Sequence, residues 1–190
     1  MNENQDQNQN RDRVADNKSA DRGMLTGMFS DRESTESAYN TLHERGYKKD
    51  DISLVMSDDT RKKHFSDDVE ETEIGTKAAE GAGKGSAIGG TVGAIVGVIA
   101  AIGTSIAIPG LGIIIAGPIA AGLAGAGAGG ITGGIIGALV GSGIPEARAK
   151  LYKSGIENGN IVIGVKPRND EDAKYLEDNW RTNKGQEIHH

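Results

Sequence analysis

The chain has 190 residues, a formal charge of −6 and no cysteine. The acidic balance argues against general attraction to nucleic acid or anionic lipid headgroups, and the lack of thiols excludes disulfides, thiolate metal sites and cysteine nucleophiles. Aromatic residues make up 4%, too few for a large aromatic-rich core, and the length suits one domain of ordinary size with a tail or an insertion.

Residues 1–22 are Asn, Gln and charge with no apolar stretch, which predicts a disordered tail and no secretory leader. Residues 23–29 alternate sides and predict a strand. Ser30 and Glu33 then form a capping box ahead of a helix with Ala38 and Leu42 on one face, and Gly46 stops it. A second strand is predicted over 51–56, with Ile52, Leu54 and Met56 on one face. Residues 58–76 are strongly polar and predict a linker with room for one helical turn.

From there the composition changes. No charged residue occurs between Lys84 and Glu146. Glycines recur at every fourth position, as Gly81, Gly85, Gly89, Gly93 and Gly97, then as Gly125, Gly129, Gly133, Gly137 and Gly141. Residues i and i+4 share one helix face. Glycine in a helix costs roughly 0.5–1 kcal/mol against alanine, so such ladders need close approach to a second helix as compensation. Pro109, Gly110 and Gly112 break the tract. The expectation is a glycine-zipper helical hairpin over 77–144, with its turn at those three residues and the ladder glycines as helix-packing positions. Ile131, Ile135 and Leu139 fall nearly opposite the second ladder.

Pro145 opens a short helix, residues 160–167 predict a third strand, and Asn169 or Asp170 starts a helix lined by Ala173, Leu176 and Trp180. A weak fourth strand is possible near Ile188. The fold class is therefore α+β. Residues 23–57 and 145–188 form two halves of one small ferredoxin-like domain, strand-helix-strand then helix-strand-helix, interrupted by the Gly-rich hairpin.

Residues 86–108 are long enough for a bilayer span of about 20 residues. Lys77 and Lys84 precede the tract and Arg148, Lys150 and Lys153 follow it, which by the positive-inside tendency puts both ends in the cytoplasm. The competing expectation is a cytoplasmic module with the hairpin buried between protomers. Either way the predicted partners are further copies of the chain, with membrane lipid in the first case and no nucleic acid.

Motifs for chemistry are weak. In "GAGKGS", residues 81–86, Gly85 follows Lys84 where a phosphate loop needs Ser or Thr, and no strand precedes it. "GAGAGG", residues 125–130, matches a dinucleotide pattern formally, but in a Gly-rich tract the match is nearly free. His43 and His64 lack a second ligand at metal spacing, and the Asp/Glu run at 58–73 lacks an EF-hand pattern. Asn17-Lys18-Ser19 fits a glycosylation pattern without a secretory context. No catalytic residue, cofactor, metal or small-molecule substrate is predicted.

The wording of several segments resembles the 17M-like, heat-induced family of bacterial general stress proteins. These are "GTKAAEGAGKGSAIGG", "AIPGLG", "AAGLAGAGAGGITGGIIGALVGSGIPEARAKLY" and "GNIVIGV", and the likeness spans roughly residues 23–177. The resemblance implies a stress-induced, non-enzymatic protein with a small α/β domain and a glycine-zipper hairpin, and brings no catalytic residues with it.

Overall fold

The structure, a computed structural model, describes residues 23–65, 106–108, 112–125 and 134–190. Among the described residues six strands form one antiparallel sheet. They are β1 (Leu25–Phe29), β2 (Ile52–Ser57), β3 (Ile106–Ile108), β4 (Ile113–Ala116), β5 (Ile161–Val165) and β6 (Gln186–His189), in the order β3-β4-β2-β5-β1-β6. β5 is central: Ile163 lies opposite Gly27 of β1 on one side and Leu54 of β2 on the other.

Strand alternation sends apolar side chains to both faces, and both faces are covered. On one face Leu25, Phe29, Ile52, Leu54, Ile161, Ile163 and Val165 meet α1 (Arg32–Glu44) through Ala38, Tyr39 and Leu42 and α6 (Asp170–Thr182) through Leu176 and Trp180. On the other, Met24, Met28, Val55, Val162 and Ile115 lie under α3 (Pro118–Gly125), α4 (Gly134–Gly141) and α5 (Glu146–Glu157). The result is three layers, helix–sheet–helix.

Strand-helix-strand, then helix-strand-helix, is the order predicted for the flanks, and a strand does form at Ile188. The polar linker differs in part. Ser57 caps a helix over residues 58–65 (α2), accepting from Thr60 N at 3.0 Å, and Phe65 is fully buried against the sheet. Arg32 ties this helix to α1, donating to the His64 carbonyl at 2.8 Å and lying over the Phe65 ring. One apolar anchor at the end of a polar helix outweighs the hydrophilic average. Residues 66–76 lie outside the described residues, as do 1–22.

The cap of α1 also differs. Asp31, not Ser30, is the N-cap, accepting from Ser34 N at 2.8 Å. A carboxylate there gains the helix dipole as well as the hydrogen bond. The stop at Gly46 is a Schellman turn: Gly46 N donates to His43 O, Tyr47 N to Leu42 O, and Gly46 has φ +79. Pro145 sits one residue before its helix, as the N-cap of α5, and Asn169 caps α6 by accepting from Asp172 N at 2.7 Å.

Candidate functional site

The site under question is the Gly-rich insertion. At its centre the structure has strands where the sequence predicts the end of one helical limb and the start of the next. Ile106–Ile108 pairs antiparallel with Ile113–Ala116, and the second of these extends the sheet along Leu54–Ser57 of β2. The physical reason is the run Ile113, Ile114, Ile115: β-branched side chains favour a strand, and a sheet edge at β2 offers unpaired backbone groups. Gly112 lies in the connection with φ +59, while Pro109 and Gly110 lie outside the described residues. β3 and β4 are thus consecutive antiparallel strands, with Gly112 directly before the second.

The predicted second limb is not one continuous helix. After β4 the chain reverses at Gly117 and runs into α3, and α4 follows after residues outside the description. Among the described glycines of the insertion, Gly117 is the tightest. Its φ is +77, and a Cβ there would overlap the Ile52 carbonyl group and lie 3.0 Å from Ser53 Cα. Ser53 Oγ then accepts from Ile119 N at 3.2 Å, satisfying an amide in the first turn of α3 from inside the sheet. The signal for Gly117 in the sequence is Gly-Pro after an isoleucine run, and it lies off the four-residue ladder.

Of the ladder glycines, Gly81, Gly85, Gly89, Gly93, Gly97, Gly129 and Gly133 lie outside the described residues. Gly125 ends α3. Gly137 and Gly141 lie on α4, where Gly141 is exposed and a Cβ would meet nothing within 4 Å. At Gly122, off the ladder, an added Cβ would lie 3.5 Å from Ser142 Oγ, one residue past the end of α4. Of the apolar positions opposite the second ladder, Ile131 lies outside the described residues, while Ile135 and Leu139 are buried, alongside Ile119, Leu123 and Ile144. α4 lies against α3 and α5, and its buried side chains share one apolar cluster with Val55 and Val162 of the sheet.

Of the five cations read as flanking a membrane edge, Lys77 and Lys84 lie outside the described residues and the other three are engaged on α5. Arg148 pairs with Glu187, Lys150 with Glu146 at 2.7 Å and Lys153 with Glu157 at 2.6 Å.

Two polar networks join the sequence halves that the insertion separates. At the C-terminal end of α1, Asp172 is buried and accepts from Arg45 Nη1 at 2.8 Å and from Tyr47 Oη at 2.9 Å. Arg168 N donates to Tyr47 Oη at 3.0 Å, the Arg168 guanidinium stacks over the Tyr47 ring, and it donates to the carbonyls of Arg45 and Gly46 at the negative end of the helix. Arg45 lies 3.7 Å over the half-exposed Tyr175 ring. Burial pushes the Tyr47 phenol above its ordinary value, and the Arg168 amide offsets part of that. Under α5, the fully buried Tyr152 contacts Thr26 Oγ1 at 2.8 Å and donates to the Glu187 carbonyl at 2.6 Å. Burial pushes its pKa up to about 12.

Neither network has the geometry of a reacting centre. The Asp172 carboxylate is consumed by an arginine and a tyrosine, and Tyr152 is sealed under a helix. Among the described residues no three His, Cys, Asp or Glu side chains cluster to hold a metal. His43 is exposed on α1, and His64 serves through its carbonyl. A shallow groove along α6, lined by Lys174, Glu177, Arg181 and His190, mixes both signs of charge, with Arg181 paired to Glu177. Trp180 is core, at right angles to Phe29 with ring centroids 5.8 Å apart. Comparisons with protein families, with curated proteins and with solved structures return no match for this chain.

Proposed function

We propose that this is a non-enzymatic general stress protein that acts by self-assembly or partner binding, with the later part of its Gly-rich insertion serving as structural cover for its own sheet. The resemblance to the 17M-like family supplies the stress role. The carrying observation is packing: Ile113, Ile115, Ile119, Leu123, Ile135 and Leu139 are buried with Val55 and Val162 of the sheet. Apolar side chains spent on a sheet are not displayed to lipid. The strand order β2-β5-β1-β6, with α1 and α6 on one face, supports a ferredoxin-like unit interrupted between its second and third strands.

A second reading, membrane association with both ends cytoplasmic, keeps one specific support: the uncharged stretch between Lys84 and Glu146, of which 85–105, 109–111 and 126–133 lie outside the described residues. Among the described residues no helix is long and apolar enough to cross a membrane. Carbonate-washed fractionation of the full chain separates the two. Recovery in the supernatant as a discrete assembly supports the first reading, and retention in the washed membrane pellet overturns it in favour of the second.

A further inference from the structure

Unfavourable features concentrate at one corner of this molecule. Among the described residues only Lys184 and Glu187 are non-glycines with positive φ, at 62° and 50°. Among the same described residues, the buried side-chain nitrogen or oxygen without a hydrogen-bond partner is Trp180 Nε1. All three sit within eight positions of sequence, where α6 ends and β6 begins. Left-handed backbone costs an L-residue about 1–2 kcal/mol, and strain of this kind persists only where surrounding structure imposes it.

What imposes it is visible. β6 pairs with β1 at Thr26–His189 and Met28–Gln186, so three steps on β6 face two on β1, a bulge with Glu187 at the left-handed position that glycine usually takes. Tyr152 and Arg148 reach from α5 to hold that residue, one by its carbonyl and the other by its carboxylate. Thr26 Oγ1 donates to the His189 carbonyl at 3.3 Å. Ile188 packs on the core cluster that contains Trp180. At the root, Gly185 N donates to Trp180 O at 2.7 Å, and Lys184 makes the left-handed turn that ends α6. Otherwise β6 is lightly anchored: Gln186 and Glu187 are exposed, and it pairs on one side alone.

We propose that β6 is a strap that opens as a unit about Asn183–Gly185, short of global unfolding. Opening releases both left-handed residues, lets water reach Trp180 Nε1, and uncovers the backbone edge of β1. Tyr152, Arg148 and Thr26 are the catches that keep it shut. The strain is the reason opening is cheaper here than elsewhere in the sheet.

The chain has one tryptophan, so Trp180 reports the event directly. The test measures amide hydrogen exchange of residues 186–189 and of β5, with acrylamide quenching of Trp180, on the full chain. The expected result is β6 exchange well ahead of β5. Lys184→Gly, which removes about 1 kcal/mol of strain, should slow β6 exchange and lower Trp180 quenching together by about fivefold. Arg148→Ala should raise both, by about twofold given the weakness of a part-exposed ion pair. Protection of β6 equal to that of β5 would overturn the proposal. So would β6 exchange that ignores Lys184→Gly, or quenching of Trp180 that does not follow it, since fraying of single edge residues would behave that way.

Discussion

Gly117→Ala tests the close approach that seats the insertion on the sheet. Two costs arise at once. The φ of +77 is left-handed, which costs alanine about 1–2 kcal/mol. The new methyl also overlaps the Ile52 carbonyl, which is main chain in β2 and has no rotamer to escape into. Relief requires moving α3 off the sheet. That strains a packed interior by about 1–3 kcal/mol and stretches the Ser53–Ile119 hydrogen bond, worth about 1 kcal/mol. The expected loss is about 3–6 kcal/mol, a large share of a typical 5–15 kcal/mol stability. Gly112→Ala supplies the control, since its φ is +59 but a Cβ there meets nothing within 4 Å. It should cost the backbone penalty alone, about 1–2 kcal/mol. Urea unfolding followed at Trp180 measures both. Equal losses in the two variants would show that no close approach exists at Gly117, and the placement of α3 on β2 would fall with it.

Three further outcomes follow from the same reasoning. Gly141→Ala, in a helix and facing open space, should raise stability by about 0.5–1 kcal/mol in the same assay, whereas a glycine seam at that position requires a loss. Asp31→Ala should cost about 1 kcal/mol as a lost cap. The Ser34 amide holds the Asp31 carboxyl below its ordinary 3.8, so its contribution is present above that value and disappears as pH falls through the lower folded value. Acid titration of stability should be shallower in the variant. Tyr152 has the opposite sign: its folded value near 12 exceeds the ordinary 10, so its contribution is full below pH 10 and is lost as pH rises toward 12. Tyr152→Phe should flatten part of the alkaline loss, with Tyr39 and Tyr47, both raised by burial, accounting for the remainder. An unchanged alkaline limb would contradict burial of Tyr152.

The flanking elements were legible because their signals are local. Alternation in Ile52, Leu54 and Met56 and in Ile161, Ile163 and Val165 marks one sheet face, and the spacing of Ala173, Leu176 and Trp180 marks one helix face. Asn169 and Gly46 are punctuation that acts through nearest neighbours. Periodicity reports a face without naming what covers it. Ile135 and Leu139 read correctly as an apolar stripe on a helix, but lipid, a second copy and the chain's own sheet all satisfy such a stripe equally. In the tertiary structure Ile135 and Leu139 share a buried cluster with Val55 and Val162 of the same chain, assembled where β4 pairs beside β2. The same holds for Glu187, whose left-handed backbone no local preference calls for: it is set by Tyr152 and Arg148, contacts 35 and 39 residues away in sequence. Local pattern therefore determined the helices and strands of the two flanks. The identity of their partners, and the backbone strain those partners impose, arise only when distant segments compete for the same surface.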